Sequence, residues 1–176
     1  GGKDYYAHTV VAATGVHPRP LNVTGEREFR NKGVSYCTTC DGPLFGGKIV
    51  ATIGGGTSSL ESGLMLADIA SKVYVLNKNP AFKGDNILIE NLKKKQNVEI
   101  LYNASTTEIL GEQFVTGLKY VGTSISKGIG EPTEFPRSGE THTPRTEASV
   151  LKVDGIFIHI GMVPNSGIVP AEVEKN

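Results

Sequence analysis

At 176 residues the chain is long enough for one well-packed domain, or for one domain with part of a second. Its 18 lysine and arginine residues balance its 18 aspartate and glutamate residues, so no net field attracts nucleic acid or an anionic membrane. Apolar runs fall short of the roughly 18 residues that a transmembrane helix needs, and the N-terminus lacks the order of a secretory signal. The composition therefore predicts a soluble cytoplasmic protein with no nucleic-acid and no membrane partner.

The chain begins with one predicted strand and a connector. Residues 8–13 are a short apolar, β-branched run closed by Thr14-Gly15, which is typical of a buried strand. Residues 16–33 contain two prolines, Gly25 and a cluster of charged residues, and these argue against a regular element. We therefore expect residues 16–33 to form a connector or a domain boundary.

The middle of the chain alternates strands and helices. The predicted strand at residues 49–53 is a run of small and β-branched residues without polar alternation, as in a parallel strand covered on both faces. Apolar residues at helical spacing follow its glycine turn, and Thr57 or Ser58 is expected to cap that helix. The predicted elements are strands at 49–53, 73–76 and 98–101 and helices at 57–71 and 86–95. This order predicts a βαβ dinucleotide-binding unit.

After this unit the pattern changes to short strands with tight turns. The predicted strands are residues 106–110, 115–121, and a pair within 150–160 that is broken near Asp154-Gly155. Residues 122–149 are rich in Gly, Pro, Ser, Thr and charge, so they are predicted to be a long loop or a hairpin tip. The antiparallel strands distinguish the expected fold from a plain doubly wound sheet.

A G-x-G-x-x-S pattern lies where the predicted strand at residues 49–53 meets the predicted helix at residues 57–71. Its first glycine permits the tight turn, its second lets the backbone approach a pyrophosphate, and its serine lets helix and strand pack closely. The helix N-terminus adds free N–H groups and the positive end of a dipole. The expected dinucleotide site is this whole turn: Gly54, Gly55, Gly56, Thr57, Ser58 and Ser59. The alternative is a glycine-rich turn that binds nothing.

The residues after the second strand of the unit bear on the choice between NADPH and NADH, because the ribose is recognised there. A carboxylate would favour NADH, whereas this chain has Asn77 and Lys78, with Lys83 a little further on. Nothing repels a 2′-phosphate, although lysine is a weaker bidentate partner than arginine. We expect Asn77, Lys78 and Lys83 to belong to the nucleotide site, with the two lysines placed to meet a 2′-phosphate, and at most a mild preference for NADPH. The alternative is that both lysines are only solvated.

Cys37 and Cys40 are the only cysteines, and Asp41 follows them directly. In a C-x-x-C segment at a helix N-terminus, the first cysteine is acidified and the second resolves a mixed disulfide. Asp41 is placed to pass a proton to the leaving thiolate. The alternatives are half of a zinc site and an inert buried pair, but zinc needs further ligands and the four histidines are scattered. We expect a reversible disulfide, a reducing compartment and no metal site.

Four segments, in this order, carry a family resemblance: Ala13-Thr14-Gly15, Gly33-Val34-Ser35-Tyr36-Cys37-Thr38-Thr39-Cys40-Asp41-Gly42, Ile53-Gly54-Gly55-Gly56, and Gly161-Met162-Val163-Pro164-Asn165. They resemble low-molecular-weight thioredoxin reductases, which are FAD- and NAD(P)-dependent pyridine nucleotide-disulfide oxidoreductases. The resemblance implies an α/β fold with a Rossmann-like, three-layer ββα NAD(P)-binding domain. It also implies that Cys37 attacks the protein disulfide, Cys40 faces the flavin, Asp41 is the acid, and Gly161 belongs to the nucleotide site.

The resemblance further implies three regions. Residues 1–33 would be a strand of a flavin domain and a crossover linker, 34–165 the NAD(P)-binding domain with the C-x-x-C, and 166–176 a tail leading back to a missing flavin domain. The full parent would be a homodimeric thioredoxin-disulfide reductase that uses NADPH, or NADH, with FAD, and it would reduce a thioredoxin-like protein disulfide. This fragment alone is expected to be inactive.

Two alternatives stay open. The segments Asp41-Gly42-Pro43-Leu44-Phe45 and 103–108 also resemble the flavoprotein subunit of alkyl hydroperoxide reductase, which would use NADH. The second alternative is a nucleotide-binding module without turnover. One departure weakens a strong NADPH preference, because thioredoxin reductases place a His-Arg-Arg run where this chain has Asn77-Lys78-Asn79.

Overall fold

The computed structural model describes residues 2–3, 5–122 and 148–169. The strands within these residues are β1 (Val16–Pro18), β2 (Val34–Ser35), β3 (Ile49–Ile53), β4 (Lys72–Leu76), β5 (Val98–Leu101), β6 (Ser105–Gly111), β7 (Val115–Val121), β8 (Ser149–Lys152), β9 (Gly155–Ile158) and β10 (Met162–Pro164). The α-helices are α1 (Thr38–Asp41), α2 (Thr57–Ala67) and α3 (Asn86–Lys93), and short 3-10 turns span Gly42–Phe45 and Ser166–Ile168.

A five-stranded sheet of parallel strands, in the order β2-β9-β3-β4-β5, forms the middle layer. Its central strands β3 and β9 are almost wholly buried, as expected for apolar strands with both faces covered. Each strand sends alternate side chains to opposite faces, so one run of apolar residues serves two cores. In β3, Val50 packs toward the helices, while Ala51 and Ile53 pack toward a second sheet.

The second sheet is antiparallel, in the order β6-β7-β8, and covers one face of the parallel sheet. Between the sheets lies a core to which Ile109, Leu118 and Ile156 contribute. On the opposite face, α2 and α3 bury Leu60 and Leu92 against the parallel strands. The protein therefore has three layers, sheet, sheet and helices, and the predicted α/β fold of the ββα type is confirmed.

The predicted break near residues 154 and 155 is where the chain passes from one sheet to the other. Strand β8 ends the antiparallel sheet, and β9 enters the parallel sheet. The Asp154 N–H donates to the Ile49 carbonyl oxygen (2.7 Å), and the Asp154 carboxylate accepts the Ile49 N–H (2.9 Å). A Cβ on Gly155 would lie 2.2 Å from the Phe45 ring. Glycine is therefore required here by packing rather than by a turn.

The structure corrects three expectations about the elements. Residues 8–13 are irregular and exposed rather than a buried strand, because no described strand lies beside them to pair their N–H and C=O groups. Residues 16–33 do contain a regular element, since β1 pairs antiparallel with β10. Helix α2 is capped by Gly56, without a side-chain hydrogen bond, rather than by Thr57 or Ser58.

The remaining expected elements are present with small changes of length. Helices α2 and α3 end at Ala67 and Lys93, a few residues before the predicted ends. Of the predicted loop at 122–149, residues 123–147 lie outside the described residues, as do 170–176 of the predicted tail. Among the described helices none is both long and apolar enough to cross a bilayer. The division into regions at residues 33 and 165 stays a prediction.

Candidate functional site

The two cysteines lie at the start of helix α1 and are joined in a disulfide, with their Cα atoms 5.3 Å apart. Cys37 is the N-cap residue, and the Cys40 N–H donates to Cys37 Sγ at 3.2 Å. The Cys40 side is exposed, whereas Cys37 is partly covered. A backbone N–H directed at Sγ stabilises negative charge there, so the arrangement suits Cys37 for the role of the thiolate once the disulfide is reduced.

Ser35 connects the predicted acid to the first cysteine. Its hydroxyl donates to Asp41 Oδ2 at 2.6 Å, and its oxygen accepts the Cys37 N–H at 3.0 Å. Ser35 is buried at the end of β2, so the sheet fixes its position. The structure thus brings together the three predicted catalytic residues and adds Ser35 as the side chain that orients two of them.

A buried chain of hydrogen bonds links α1 to α2 and β9. Thr38 Oγ1 lies 2.6 Å from Ser62 Oγ and 2.9 Å from His159 Nε2, and the Thr52 hydroxyl donates to Ser62 Oγ at 3.2 Å. Burial lowers the pKa of the His159 imidazole below its ordinary value, so the ring is neutral near pH 7. The residue that follows Cys37 is therefore tied to the helix that follows the glycine turn.

The glycine turn, predicted as the dinucleotide site, joins β3 to α2. Gly54 has φ +151°, and a Cβ on it would lie 2.2 Å from the His159 carbonyl oxygen. Around a Cβ on Gly56, by contrast, no heavy atom lies within 4 Å. Since Gly56 supplies no side-chain cap, the N–H groups of the first turn, at Thr57 and Ser58, are free to meet an anion. Buried Ser59 packs the helix against the strand.

The end of β4 reaches the glycine turn. Asn77 is fully buried, and a Cβ on Gly55 would lie 2.4 Å from its Oδ1. The Asn77 amide group donates to the Ala81 carbonyl oxygen (2.9 Å) and accepts the Asn79 N–H (3.0 Å), so it shapes the loop after β4. The Lys83 N–H donates to the Gly55 carbonyl oxygen at 2.8 Å. Asn77 is thus engaged within the protein.

Lys78 and Lys83 are both exposed. The bond from the Lys83 N–H to the Gly55 carbonyl oxygen holds their loop beside the glycine turn. Gly161, with φ +109°, is exposed at the start of β10, and its carbonyl oxygen accepts the Arg19 N–H at 2.9 Å. The nucleotide-binding roles of these residues stay predictions.

A buried carboxylate supports the segment that leads into the dithiol. Glu26 accepts hydrogen bonds from the Leu21 N–H (2.7 Å), the Asn22 N–H (2.6 Å) and the Tyr36 hydroxyl (2.7 Å). Burial, helped by the Glu26 carboxylate, raises the pKa of Tyr36 to about 12. Tyr36 therefore remains a neutral hydrogen-bond donor at every pH at which the protein is expected to work.

Sequence reasoning missed the supporting residues Ser35, Thr38, Ser62, His159 and Glu26. A signal existed for one of them, because Ser35 lies two residues before Cys37 and a buried hydroxyl there must find a partner. The others are brought together only by the fold. Across the described ranges, there is no group of three or more His, Cys, Asp or Glu residues that could hold a metal ion.

Comparison with known proteins agrees with this geometry. The family model for pyridine nucleotide-disulphide oxidoreductases matches residues 1–176. A Bacillus subtilis (strain 168) protein named NADH dehydrogenase is 42% identical over 168 residues, and a subunit of Staphylococcus aureus (strain NCTC 8325 / PS 47) alkyl hydroperoxide reductase is 41% identical over 168 residues. Each alignment covers 96% of this chain and 29% of the relative, so the chain spans less than a third of the relatives' length.

A solved structure has a similar fold over most of this chain. The crystal structure of T. acidophilum thioredoxin reductase matches with a TM-score of 0.70 and 33% sequence identity, over 86% of this chain and 43% of that one. The resemblance to thioredoxin reductases and to alkyl hydroperoxide reductase is confirmed by these matches. With its glycine turn, its C-x-x-C disulfide and a family match along its whole length, the chain belongs to the pyridine nucleotide-disulphide oxidoreductase family.

Proposed function

We propose that this chain is the nicotinamide-dinucleotide and dithiol portion of a flavoprotein disulfide reductase of the thioredoxin reductase type. One observation carries the proposal. The Cys37–Cys40 disulfide, followed by Asp41, is anchored through Thr38 and Ser62 to the helix that starts at the glycine turn. A cysteine pair and a glycine turn joined by these hydrogen bonds support a function in which reducing equivalents from the nucleotide reach the pair.

The residues of the turn fit a dinucleotide. Open space around a Gly56 Cβ would admit a pyrophosphate close to the backbone, and the uncapped first-turn N–H groups of α2 would hold it. Gly54 lets β9 approach closely enough to close the other side of the turn. When bound, a nicotinamide dinucleotide would supply a hydride, and a flavin in the parent protein would accept it and pass two electrons to the disulfide.

The dithiol then acts by exchange. The Cys37 thiolate attacks one sulfur of a partner's disulfide, forming a mixed disulfide and releasing the other partner sulfur as a thiolate. Asp41, oriented by Ser35, gives a proton to that leaving thiolate. The Cys40 thiol gives up its proton and attacks Cys37 Sγ, which breaks the bond to the partner, closes the Cys37–Cys40 disulfide and releases the second partner sulfur, which takes up that proton. Two electrons pass to the partner, for which a thioredoxin-like protein disulfide is the proposed substrate.

A second candidate has support from the loop after β4. An NADH-dependent flavoprotein like that of the alkyl hydroperoxide reductase system needs no 2′-phosphate site, and the lysines of this loop are exposed and form no rigid fork. In that case the dithiol chemistry is unchanged, and the partner is a disulfide in a peroxide-reducing system. Comparing NADPH with NADH binding separates the two.

Two glycine variants test the nucleotide site. We expect Gly56→Ala to fold normally, since its Cβ meets open space, and yet to lose about tenfold or more in nucleotide affinity because the methyl group enters the phosphate position. Gly54→Ala is expected to lower the melting temperature, because its Cβ would collide with the His159 carbonyl oxygen. Calorimetric titration with NADPH and NADH, with thermal melting monitored by circular dichroism, measures both effects. Unchanged affinity in Gly56→Ala would contradict the site.

Thiol counting tests the pair itself. Alkylation of air-oxidised protein should label no cysteine, and alkylation after reduction should label Cys37 and Cys40. Equal labelling of both samples would argue against a redox function, whatever the result for the nucleotide.

A further inference from the structure

His159 is a half-buried histidine that the proposed chemistry leaves unused. It follows β9 at the edge of the sheet where the glycine turn lies, and its N–H donates to the Ile53 carbonyl oxygen at 2.8 Å. Its own carbonyl oxygen lies against Gly54. Its ring reaches Thr38, the first residue of α1. One residue therefore contacts both the nucleotide turn and the neighbour of Cys37.

The direction of the hydrogen-bond chain depends on the protonation of the ring. Thr52 donates to Ser62 Oγ, which leaves the Ser62 proton for Thr38 and the Thr38 proton for His159 Nε2. Every hydroxyl proton then has an acceptor. If Nε2 carried a proton, Thr38 would have to donate to Ser62, and the proton of buried Ser62 would find no acceptor in this chain of four residues. An unsatisfied buried hydroxyl destabilises this arrangement.

We propose that His159 is a positioning residue for the redox pair, whose neutral ring accepts the Thr38 hydroxyl proton and so fixes the first turn of α1 against the end of β9. In this position the Cys40 N–H is directed at Cys37 Sγ. That N–H stabilises a thiolate on Cys37, so a loosened Thr38 disfavours the reduced form relative to the disulfide. The inference rests on the proposed function, because it concerns the same dithiol.

The electrostatic surroundings agree with a neutral acceptor. Burial is the cause of the lowered pKa of the His159 imidazole. The ionisable side chains on the neighbouring helices are Asp41 on α1 and Glu61 on α2; Ser35 holds Asp41, and Glu61 is exposed. Near pH 7 the ring is therefore available to accept the Thr38 proton.

The test measures the redox equilibrium of the full chain, which needs neither nucleotide nor flavin. The protein is equilibrated near pH 7 with mixtures of reduced and oxidised glutathione, trapped by alkylation and weighed by mass spectrometry. We expect His159→Leu and Thr38→Val each to shift the equilibrium about fivefold toward the disulfide, as for the loss of one hydrogen bond. A fivefold shift corresponds to about 20 mV. The double variant should shift no further than either single variant.

His159→Gln should restore much of the wild-type equilibrium, because its amide oxygen offers an acceptor in a similar position. The matched control is Asn97→Ala, which removes hydrogen bonds to the Ala67 and Ala70 carbonyl oxygens at the far end of α2. This control should lower the urea-unfolding free energy of oxidised and reduced protein equally and leave the glutathione equilibrium unchanged.

Each result has a distinct meaning. Two results would overturn the positioning role and leave the proposed function intact. In the first, the shifts of the glutathione equilibrium in His159→Leu and Thr38→Val add in the double variant. In the second, neither shift exceeds that of Asn97→Ala. If His159→Leu fails to fold, Thr38→Val and His159→Gln still decide the question. A wild-type disulfide that does not exchange with glutathione would overturn the proposed function and this inference with it.

Discussion

Among single residues, His159 makes the stability of the protein depend on pH. Burial lowers the pKa of its imidazole in the folded state, whereas in the unfolded chain the pKa is about 6.5. Between these values the unfolded chain binds more protons, so the unfolding free energy decreases as the pH falls below about 6.5. We expect the urea-unfolding free energies near pH 8 and near pH 5 to differ less in His159→Gln than in the wild type. Identical differences in the two proteins would contradict this.

Lys78 bears on the choice of nucleotide. It is exposed, and an exposed ion pair contributes about 0.2 to 1 kcal/mol, which amounts to about fivefold or less in affinity. We expect a mild preference of the wild-type chain for NADPH, and we expect Lys78→Glu to erase it by repelling the 2′-phosphate. Lys94→Glu, the same change at an exposed position at the end of α3, is the control. A preference of about a thousandfold in the wild type, roughly 4 kcal/mol, would show that stronger contacts exist.

How far a site can be predicted from sequence depends on whether its signal is local. Cys37, Cys40 and Asp41 occupy adjacent turns of one short segment, and the glycine turn is one continuous motif, so both were recognisable. The contact between Thr38 and His159 spans 121 residues, and no spacing rule connects positions so distant. The Thr57 or Ser58 cap was wrong for a related reason, because the propensity of these residues for the N-cap position does not show that Gly56 takes it.

Of the helices, α3 depends most clearly on its first turn. Asp85 is its N-cap residue and accepts the Ile87 N–H at 3.0 Å. We expect Asp85→Ala to lower the unfolding free energy by about 1 kcal/mol, as is usual for a lost cap. Asp68→Ala, which removes an exposed ion pair with Lys95, is the matched control and should cost less than about 0.5 kcal/mol. Urea unfolding measures both free energies. An equal decrease in the two variants would show that the Asp85 cap stabilises the protein no more than an exposed ion pair does.

A strand could be predicted where a run of apolar residues is buried on both faces, as in β3. It could not be predicted where forming a strand depends on having a neighbouring strand to pair with. Residues 8–13 have the same composition as a buried strand but have no described neighbour to pair with. Strands β8 and β9 were predicted with a break near residues 154 and 155, but that pattern did not show that the break separates two sheets. Strand partners are chosen by contacts that are distant in sequence, so local pattern indicates a strand but not its sheet.

For the molecule as a whole, we predict nucleotide binding without disulfide turnover. In the described part of the chain, one glycine turn leads into a helix of eight or more residues, and the nicotinamide dinucleotide is expected to occupy it. A nicotinamide does not reduce a disulfide without an intermediary such as flavin. The purified 176-residue chain should therefore be colourless and should not oxidise NADPH in the presence of thioredoxin, with or without added FAD. A yellow preparation with turnover would contradict this.

The pairing of β1 with β10 has a further consequence for engineering. The register joins His17 to Val163, and the His17 ring bonds the Asn165 side chain at 2.8 Å, so the chain enters and leaves the three-layer unit at one place. A unit whose ends are already side by side can be inserted into a loop of another protein without stretching either one. We therefore expect residues 16–165 to tolerate insertion into a loop of an unrelated host protein, which would carry the cysteine pair and the glycine turn into that host together.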